Sequence, residues 1–96
     1  MSVQHIRVIG RVQGIGYRRW ATDVATNLAL SGWVRNVSDG SVEIMVQGPE
    51  ESVNKFLQAC LKGPAFAMVL GIQPVTIPQR SAPPIQEGVF KSIASV

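Results

Sequence analysis

The residues with the clearest chemical potential form one stretch near the N-terminus, in which three glycines precede an arginine. The glycines are Gly10, Gly14 and Gly16, and the arginine is Arg18. A glycine-rich turn brings backbone N–H groups together, and the start of a helix favours negative charge. A guanidinium can donate to two oxygens of one phosphate at once. These residue types in this order predict a site for one phosphate-sized anion.

The spacing of the glycines fits neither common nucleotide-binding motif. It is not G-x-G-x-x-G, and no Gly-Lys-Ser/Thr follows that would hold a β-phosphate and a magnesium ion. Most glycine turns between a strand and a helix bind nothing, so the loop alone leaves a purely structural role open.

A second candidate is Asn36, which closes a predicted strand shortly before the turn at Asp39 and Gly40. If that strand and the first one run parallel, as a helical crossover requires, Asn36 lies at the same end of the sheet as the glycine loop. Its carboxamide could hold a water beside a bound phosphate, because it both donates and accepts. A role in the turn is an equally good interpretation from the spacing alone.

Other reactive side chains have simpler interpretations. His5 is the single histidine and begins the first predicted strand, and Cys60 lies on the apolar stripe of a helix. No group of His, Cys, Asp or Glu has the spacing of metal ligands, so we expect no metal site.

The elements that must position these residues follow from hydrophobic periodicity. Alternating or apolar runs predict strands at 5–9, 33–37, 41–47 and 66–72, and a short edge strand at 88–93. Stripes at helical spacing predict a helix that begins near Tyr17 and a second one that follows Gly48, with Pro49 at its first position. Residues 75–87 are rich in proline and predict a long surface loop.

This order predicts one α+β domain over residues 1–96. Two strand–helix–strand halves form a ferredoxin-like βαββαβ sandwich, in which an antiparallel sheet carries two helices on one face. The fifth strand would lie at an edge. This fold hosts many functions, so it decides nothing about the function of this chain.

Composition narrows the class of partner. The net charge is +3, and residues 1–36 hold five arginines and one aspartate, so the basic half is the half with the glycine loop. An anionic partner is expected, either a small phosphorylated molecule or a nucleic acid. No apolar run approaches the length of a membrane span, and a single cysteine favours a cytoplasmic setting.

Two segments of the chain together resemble the acylphosphatase family. Residues 10–18 read GRVQGIGYR, close to the family pattern G-x-V-Q-G-V-x-[FY]-R. Residues 32–43 read GWVRNVSDGSVE, which fits the family's G-W-V-R-N-x-x-D-G-x-V-E. The resemblance covers residues 6–74. Ile15 replaces the usual valine, and Ala29 stands where the family usually has glycine.

The resemblance implies hydrolysis of the carboxyl–phosphate bond of small acyl phosphates, with no metal and no cofactor. It implies that the phosphoryl group is bound by Arg18 and the backbone N–H groups of the 14–18 loop, and that Asn36 orients the attacking water. The implied substrate-binding residues are Gln13, Gly14, Ile15, Gly16, Tyr17 and Arg18. We expect a monomer that does not bind membranes.

The alternative is a non-catalytic module that binds phosphate or RNA, since the RNA-recognition fold has the same element order. Trp20 and Trp33 could in principle stack on bases. However, the first and third predicted strands lack the aromatic pattern of that fold and carry Arg7 and Met45 instead. The sequence therefore disfavours a nucleic-acid partner.

Overall fold

The computed structural model describes residues 1–75 and 82–96. These residues form β1 (Ser2–Arg11), α1 (Tyr17–Asn27), β2 (Ser31–Asn36), β3 (Val42–Gly48), α2 (Glu50–Lys62), β4 (Met68–Pro74) and β5 (Phe90–Ser92). The five strands make one sheet in the order β4-β1-β3-β2-β5. The predicted ferredoxin-like α+β fold is confirmed.

The core lies between one face of the sheet and the two helices. Alternate residues of β1 and β3 point to this face, since successive side chains of a strand lie on opposite sides. The strands contribute Ile6, Val8, Val34, Val42, Ile44 and Val46, and the helices contribute Tyr17, Ala21, Ala25, Val53, Phe56 and Cys60. The two helices are also joined directly, because the Tyr17 hydroxyl donates to the Cys60 carbonyl at 2.7 Å.

The sheet is mixed, whereas the sequence predicted an antiparallel sheet. β1 pairs antiparallel with β3 and β4, and β2 pairs antiparallel with β3. β5 runs parallel to β2. β4 and β5 lie at opposite edges of the sheet. The apolar pattern of a short edge strand specifies neither its neighbour nor its direction, which is why the sequence missed this pairing.

The element boundaries shift modestly from the prediction. β1 extends past both ends of the predicted 5–9 strand because its partners β3 and β4 satisfy the added backbone groups. β4 begins two residues later than the predicted 66–72 strand, and β5 is shorter than predicted. Pro49 caps α2 rather than occupying its first position, since its carbonyl accepts the first helical bond from Val53.

The other face of the sheet carries a buried charge cluster of His5, Arg35 and Glu43. One Glu43 oxygen accepts from Arg35 Nε at 2.8 Å, and the other contacts His5 Nε2. Burial opposes ionisation of Glu43, but these two hydrogen bonds outweigh it and hold its pKa below the usual value. The Arg35 guanidinium lies 4.7 Å above the Trp33 ring. We term His5, Arg35 and Glu43 the outer-face ion cluster.

The C-terminal segment covers this face and extends the pairing with β2. The Trp33 indole donates to the Pro83 carbonyl at 2.9 Å. Past β5, the N–H of Ile93 donates to Val34, and the N–H of Val96 donates to the carbonyl of Asn36 at 3.0 Å. Residues 76–81 of the predicted 75–87 loop lie outside the described residues, and 82–86 form neither helix nor strand.

Candidate active site

A cavity of about 390 Å³ opens between the glycine loop, the first turns of α1 and the end of β2. Five of the residues predicted from the sequence line it, namely Gly14, Gly16, Tyr17, Arg18 and Asn36. β1 and β2 are both antiparallel to β3 and are therefore parallel to each other. Their carboxyl ends therefore lie at the same end of the sheet, which is how the glycine loop and Asn36 come to share a cavity.

The glycine loop leaves its backbone donors unpaired. Gly14 and Gly16 have φ angles of 77° and 83°, a conformation that glycine adopts without steric cost. The first backbone hydrogen bond of α1 runs from Trp20 to Gly16 at 3.0 Å. Across the described residues, no N–H of residues 14–19 donates to a protein acceptor. These N–H groups can therefore donate to an anion at the start of α1.

Arg18 adds a cation in the first turn of the same helix. Its side chain is half-buried and lines the cavity. None of the acidic residues that the structure describes forms an ion pair with it. Its backbone carbonyl accepts a hydrogen bond from the Thr22 hydroxyl at 2.8 Å, one turn further along α1. Because no described acidic residue pairs with the guanidinium, it can donate to a ligand in the cavity.

Asn36 lines the cavity from the last position of β2. Its backbone is fixed by pairing with Val42 and by the hydrogen bond from Val96. Its side-chain Oδ1 is buried and has no hydrogen-bond partner among the described residues. An unpaired buried acceptor is costly unless it serves a ligand or a water. The site therefore combines several unpaired donors with the amide of Asn36.

Three of the residues predicted to bind substrate have side chains that are placed differently. The amide of Gln13 donates to two backbone carbonyls, that of Val37 at 2.8 Å and that of Ser41 at 2.7 Å. Ile15 packs against the core. Tyr17 lines the cavity, but its ring is 1% exposed and its hydroxyl is bonded within the core, so burial raises its pKa well above the usual value. Their side chains support the site rather than extend into it.

The sequence did not identify five further residues of the cavity wall, which are Val12, Arg19, Thr22, Asp23 and Ser92. Thr22 could have been found, because it is four residues after Arg18 and shares its face of α1. Ser92 could not, because its place depends on the parallel pairing of β5 with β2.

The remaining reactive side chains of the described residues lie away from this cavity or stand apart from one another. Over residues 1–75 and 82–96, no three His, Cys, Asp or Glu side chains are grouped so that they could hold a metal ion. His5 lies on the opposite face of the sheet, where it contacts Glu43. Cys60 is buried in the core, and burial raises the pKa of its thiol to about 12. The cavity wall offers backbone and guanidinium donors for an anion, the Asn36 amide, the hydroxyls of Thr22 and Ser92, and the carboxylate of Asp23.

Comparison with known proteins assigns this arrangement to a family. The family model for acylphosphatase matches residues 4–83. The acylphosphatase of Azorhizobium caulinodans is 45% identical over 92 residues, which are 96% of this chain and 95% of that protein. This chain belongs to the acylphosphatase family. Acylphosphatases are hydrolases, so the chain is an enzyme.

Other acylphosphatases are similar to this chain in sequence and in fold. That of Rhodospirillum rubrum is 46% identical over 82 residues, covering 83% of this chain and 90% of its own. The crystal structure of the acylphosphatase from Bacillus subtilis superposes with a TM-score of 0.77 at 32% identity, covering 96% of this chain and 99% of that one. The acylphosphatase fold therefore extends over the whole sheet, including the segment that carries β5. Neither helix of the described chain is long and apolar enough to cross a membrane.

Proposed function

We propose that this acylphosphatase hydrolyses small acyl phosphates without a metal ion, using Arg18 and the 14–18 loop to bind the phosphoryl group and Asn36 to orient the attacking water. The supporting observation is that unpaired donors and one unpaired buried acceptor line the same cavity. The donors suit the three non-bridging oxygens of a phosphoryl group. The acceptor suits a hydrogen of water.

The phosphoryl group requires charge neutralisation more than covalent chemistry. In phosphoryl transfer, charge is spread over the equatorial oxygens while the attacking and leaving oxygens lie roughly in line. The loop N–H groups and the Arg18 guanidinium donate to these oxygens from fixed positions, so the protein needs little rearrangement in the transition state. Arg18 thereby supplies the positive charge that a metal ion provides in many phosphoryl-transfer enzymes.

The water requires orientation. Asn36 Oδ1 accepts one hydrogen of the water and directs an oxygen lone pair at phosphorus. The new P–O bond forms as the bond between phosphorus and the carboxyl oxygen breaks, and the carboxylate leaves with the bonding electrons. Both hydrogens of the water remain with the products as H₂PO₄⁻. A carboxylate is a stable leaving group, so the reaction does not need a strong general acid, and His5 is not required.

The RNA-binding alternative has no support in the structure. Binding of that type would use aromatic side chains on the exposed face of the sheet. Trp33 lies on that face, but it is 1% exposed and its indole N–H is bonded to the Pro83 carbonyl. Arg7 and Met45 occupy other positions of this face and offer no stacking platform.

We also propose that the enzyme acts as a monomer in the cytoplasm. The one cysteine is a thiol buried in the core, which fits a reducing compartment. Size-exclusion chromatography with light scattering should give the mass of one chain, 10.4 kDa.

The test of the catalytic proposal is release of inorganic phosphate from acetyl phosphate in the presence of EDTA. We expect full activity with the chelator, little activity on p-nitrophenyl phosphate, and competitive inhibition by inorganic phosphate. Activity that disappears with EDTA and returns with magnesium would contradict the proposed mechanism. Activity unaffected by phosphate would contradict the assignment of the anion site.

A further inference from the structure

Gln13 connects the two halves of the active site. It immediately precedes the glycine loop, and its side-chain amide donates one hydrogen to the carbonyl of Val37 and the other to the carbonyl of Ser41. Val37 directly follows Asn36. One side chain therefore joins the loop proposed to bind phosphate to the segment that carries the residue proposed to orient water.

The turn that receives these bonds does not need them in order to close. Within it, the N–H of Val37 donates to Ser41 at 2.9 Å and the N–H of Gly40 donates to Val37 at 3.0 Å. The Asp39 carboxylate accepts from both the N–H and the hydroxyl of Ser41, at 2.9 Å and 2.6 Å. Each carbonyl has a second lone pair, and Gln13 uses it. The Gln13 bonds therefore attach a complete turn to the glycine loop.

We propose that Gln13 is a positioning residue that sets the distance between Asn36 and the phosphoryl group. Its amide hydrogens are bonded to the turn that follows Asn36, so it acts through the backbone of that turn. This inference rests on the proposed role of Asn36 in orienting water. The sequence predicts Gln13 as a substrate-binding residue without assigning a role to its side chain, and both amide hydrogens of that side chain are used within the protein.

Effects on phosphate binding and effects on water orientation should appear in different kinetic constants. The loop N–H groups and Arg18 bind the phosphate whether or not the turn is attached, so KM and inhibition by phosphate should change little. The alignment of the water depends on the placement of Asn36, and small misplacements of reacting groups are costly in rate. A positioning role therefore predicts a loss in kcat with KM nearly unchanged.

The experiment measures kcat, KM and inhibition by inorganic phosphate, with acetyl phosphate as substrate, for Gln13→Met with and without Asn36→Ala. We expect Gln13→Met alone to lower kcat on the order of 10-fold, with KM and the inhibition constant within about 2-fold of wild type. In the Asn36→Ala background the same substitution should change kcat by less than about 2-fold, because the group that it positions is absent. Equal losses in both backgrounds, or a normal kcat for Gln13→Met, would overturn the inference.

Two controls separate positioning from stability and from the function itself. Ser31→Ala removes another bond between a side chain and the backbone, from the Gly88 N–H at 2.8 Å, away from the cavity. It should lower the melting temperature and leave kcat unchanged well below that temperature. If Asn36→Ala retains a normal kcat, the proposed role of Asn36 fails, whereas loss for Asn36→Ala with none for Gln13→Met overturns only this inference.

Gln13→Glu gives a second readout should Gln13→Met not fold. The glutamate has the shape of glutamine, and two facing carbonyls favour its protonated form, which donates one hydrogen bond. Its kcat relative to wild type should therefore rise as the pH falls from about 7 to about 5. A ratio that stays constant over this range would contradict a role that depends on donation by residue 13.

Discussion

Arg18 and Arg35 lie on opposite sides of the sheet and show what a positive charge does when it is left unpaired and when it is paired. Arg18 is half-buried on the helix side and has no ion-pair partner among the described residues. Arg35 is 4% exposed on the other side, bonded to Glu43 at 2.8 Å and stacked on Trp33. Their surroundings, rather than their chemistry, distinguish them.

This difference in pairing distinguishes the candidate active site from the outer-face ion cluster. In the outer-face ion cluster, the two Glu43 oxygens, Arg35 and His5 contact each other, so this cluster offers little to a ligand. At the start of α1, neither the backbone donors nor Arg18 has a partner among the described residues, and neither does the Asn36 acceptor. Buried polar groups without partners are expensive, and proteins keep them where a ligand will use them.

The largest expected effect is on catalysis after loss of Arg18. Arg18→Ala should lower kcat/KM on the order of 10³-fold, because the charge stabilises both the bound phosphate and the transition state. Arg18→Lys keeps the charge but loses the two-pronged donor geometry, and should still lose roughly 10²-fold. The melting temperature of both variants should stay close to that of wild type. Near-normal kinetics for either variant would place the anion site elsewhere.

Arg35 should show the reverse pattern, with a loss of stability and little direct effect on the chemistry. Arg35→Met leaves Glu43 buried with His5 as its remaining partner, and we expect a loss of about 3 kcal/mol in the free energy of unfolding. Lys55→Met is the matched control, since it removes an exposed pair with Glu51 on α2 and should cost less than about 0.5 kcal/mol. Urea unfolding measures both. An equally small loss for both variants would mean that the outer-face ion cluster does not stabilise the fold.

The same cluster should make the protein sensitive to acid. The pKa of Glu43 is lower in the folded protein than its ordinary value of 4.5. Its contribution to stability is therefore complete above that ordinary value and is lost as the pH falls through the lowered pKa. The free energy of unfolding should fall with acid more steeply for wild type than for Glu43→Gln, as measured by urea unfolding at a series of pH values. Parallel curves would contradict the pKa direction.

A small gain is expected at Ala29, far from the chemistry. Ala29 has a φ of 58° between α1 and β2, where a side chain is strained and glycine is not. Ala29→Gly should raise the free energy of unfolding by about 0.5 kcal/mol, because relief of the strain slightly exceeds the added flexibility of the unfolded chain. The kinetic constants should be unchanged. A loss of stability would show that the left-handed conformation costs alanine little here.

The sequence predicted those features that depend on local pattern. Alternation of apolar residues located the four main strands, and a crossover helix implied that β1 and β2 end at the same edge. This was enough to predict that Asn36 lies at the same end of the sheet as the glycine loop and Arg18.

What the sequence missed depends on contacts between distant segments. The parallel pairing of β5 brings Ser92 to the cavity and the N–H of Val96 to Asn36, and no local pattern encodes that register. The sequence predicts Gln13 as a substrate-binding residue of the loop motif and indicates nothing of its bonds to the turn after Asn36. Only the folded structure shows that its amide reaches carbonyls 24 and 28 residues further along the chain.

The most direct test of the central claim is the steady-state kinetics of Asn36→Ala, with the affinity for inorganic phosphate measured in parallel. The two proposed roles, anion binding and orientation of water, divide between these two quantities. We predict that kcat falls on the order of 10²–10³-fold while phosphate binds about as well as it does to wild type. A folded Asn36→Ala enzyme with near-normal kcat would contradict the account, because the water would then be oriented by another group.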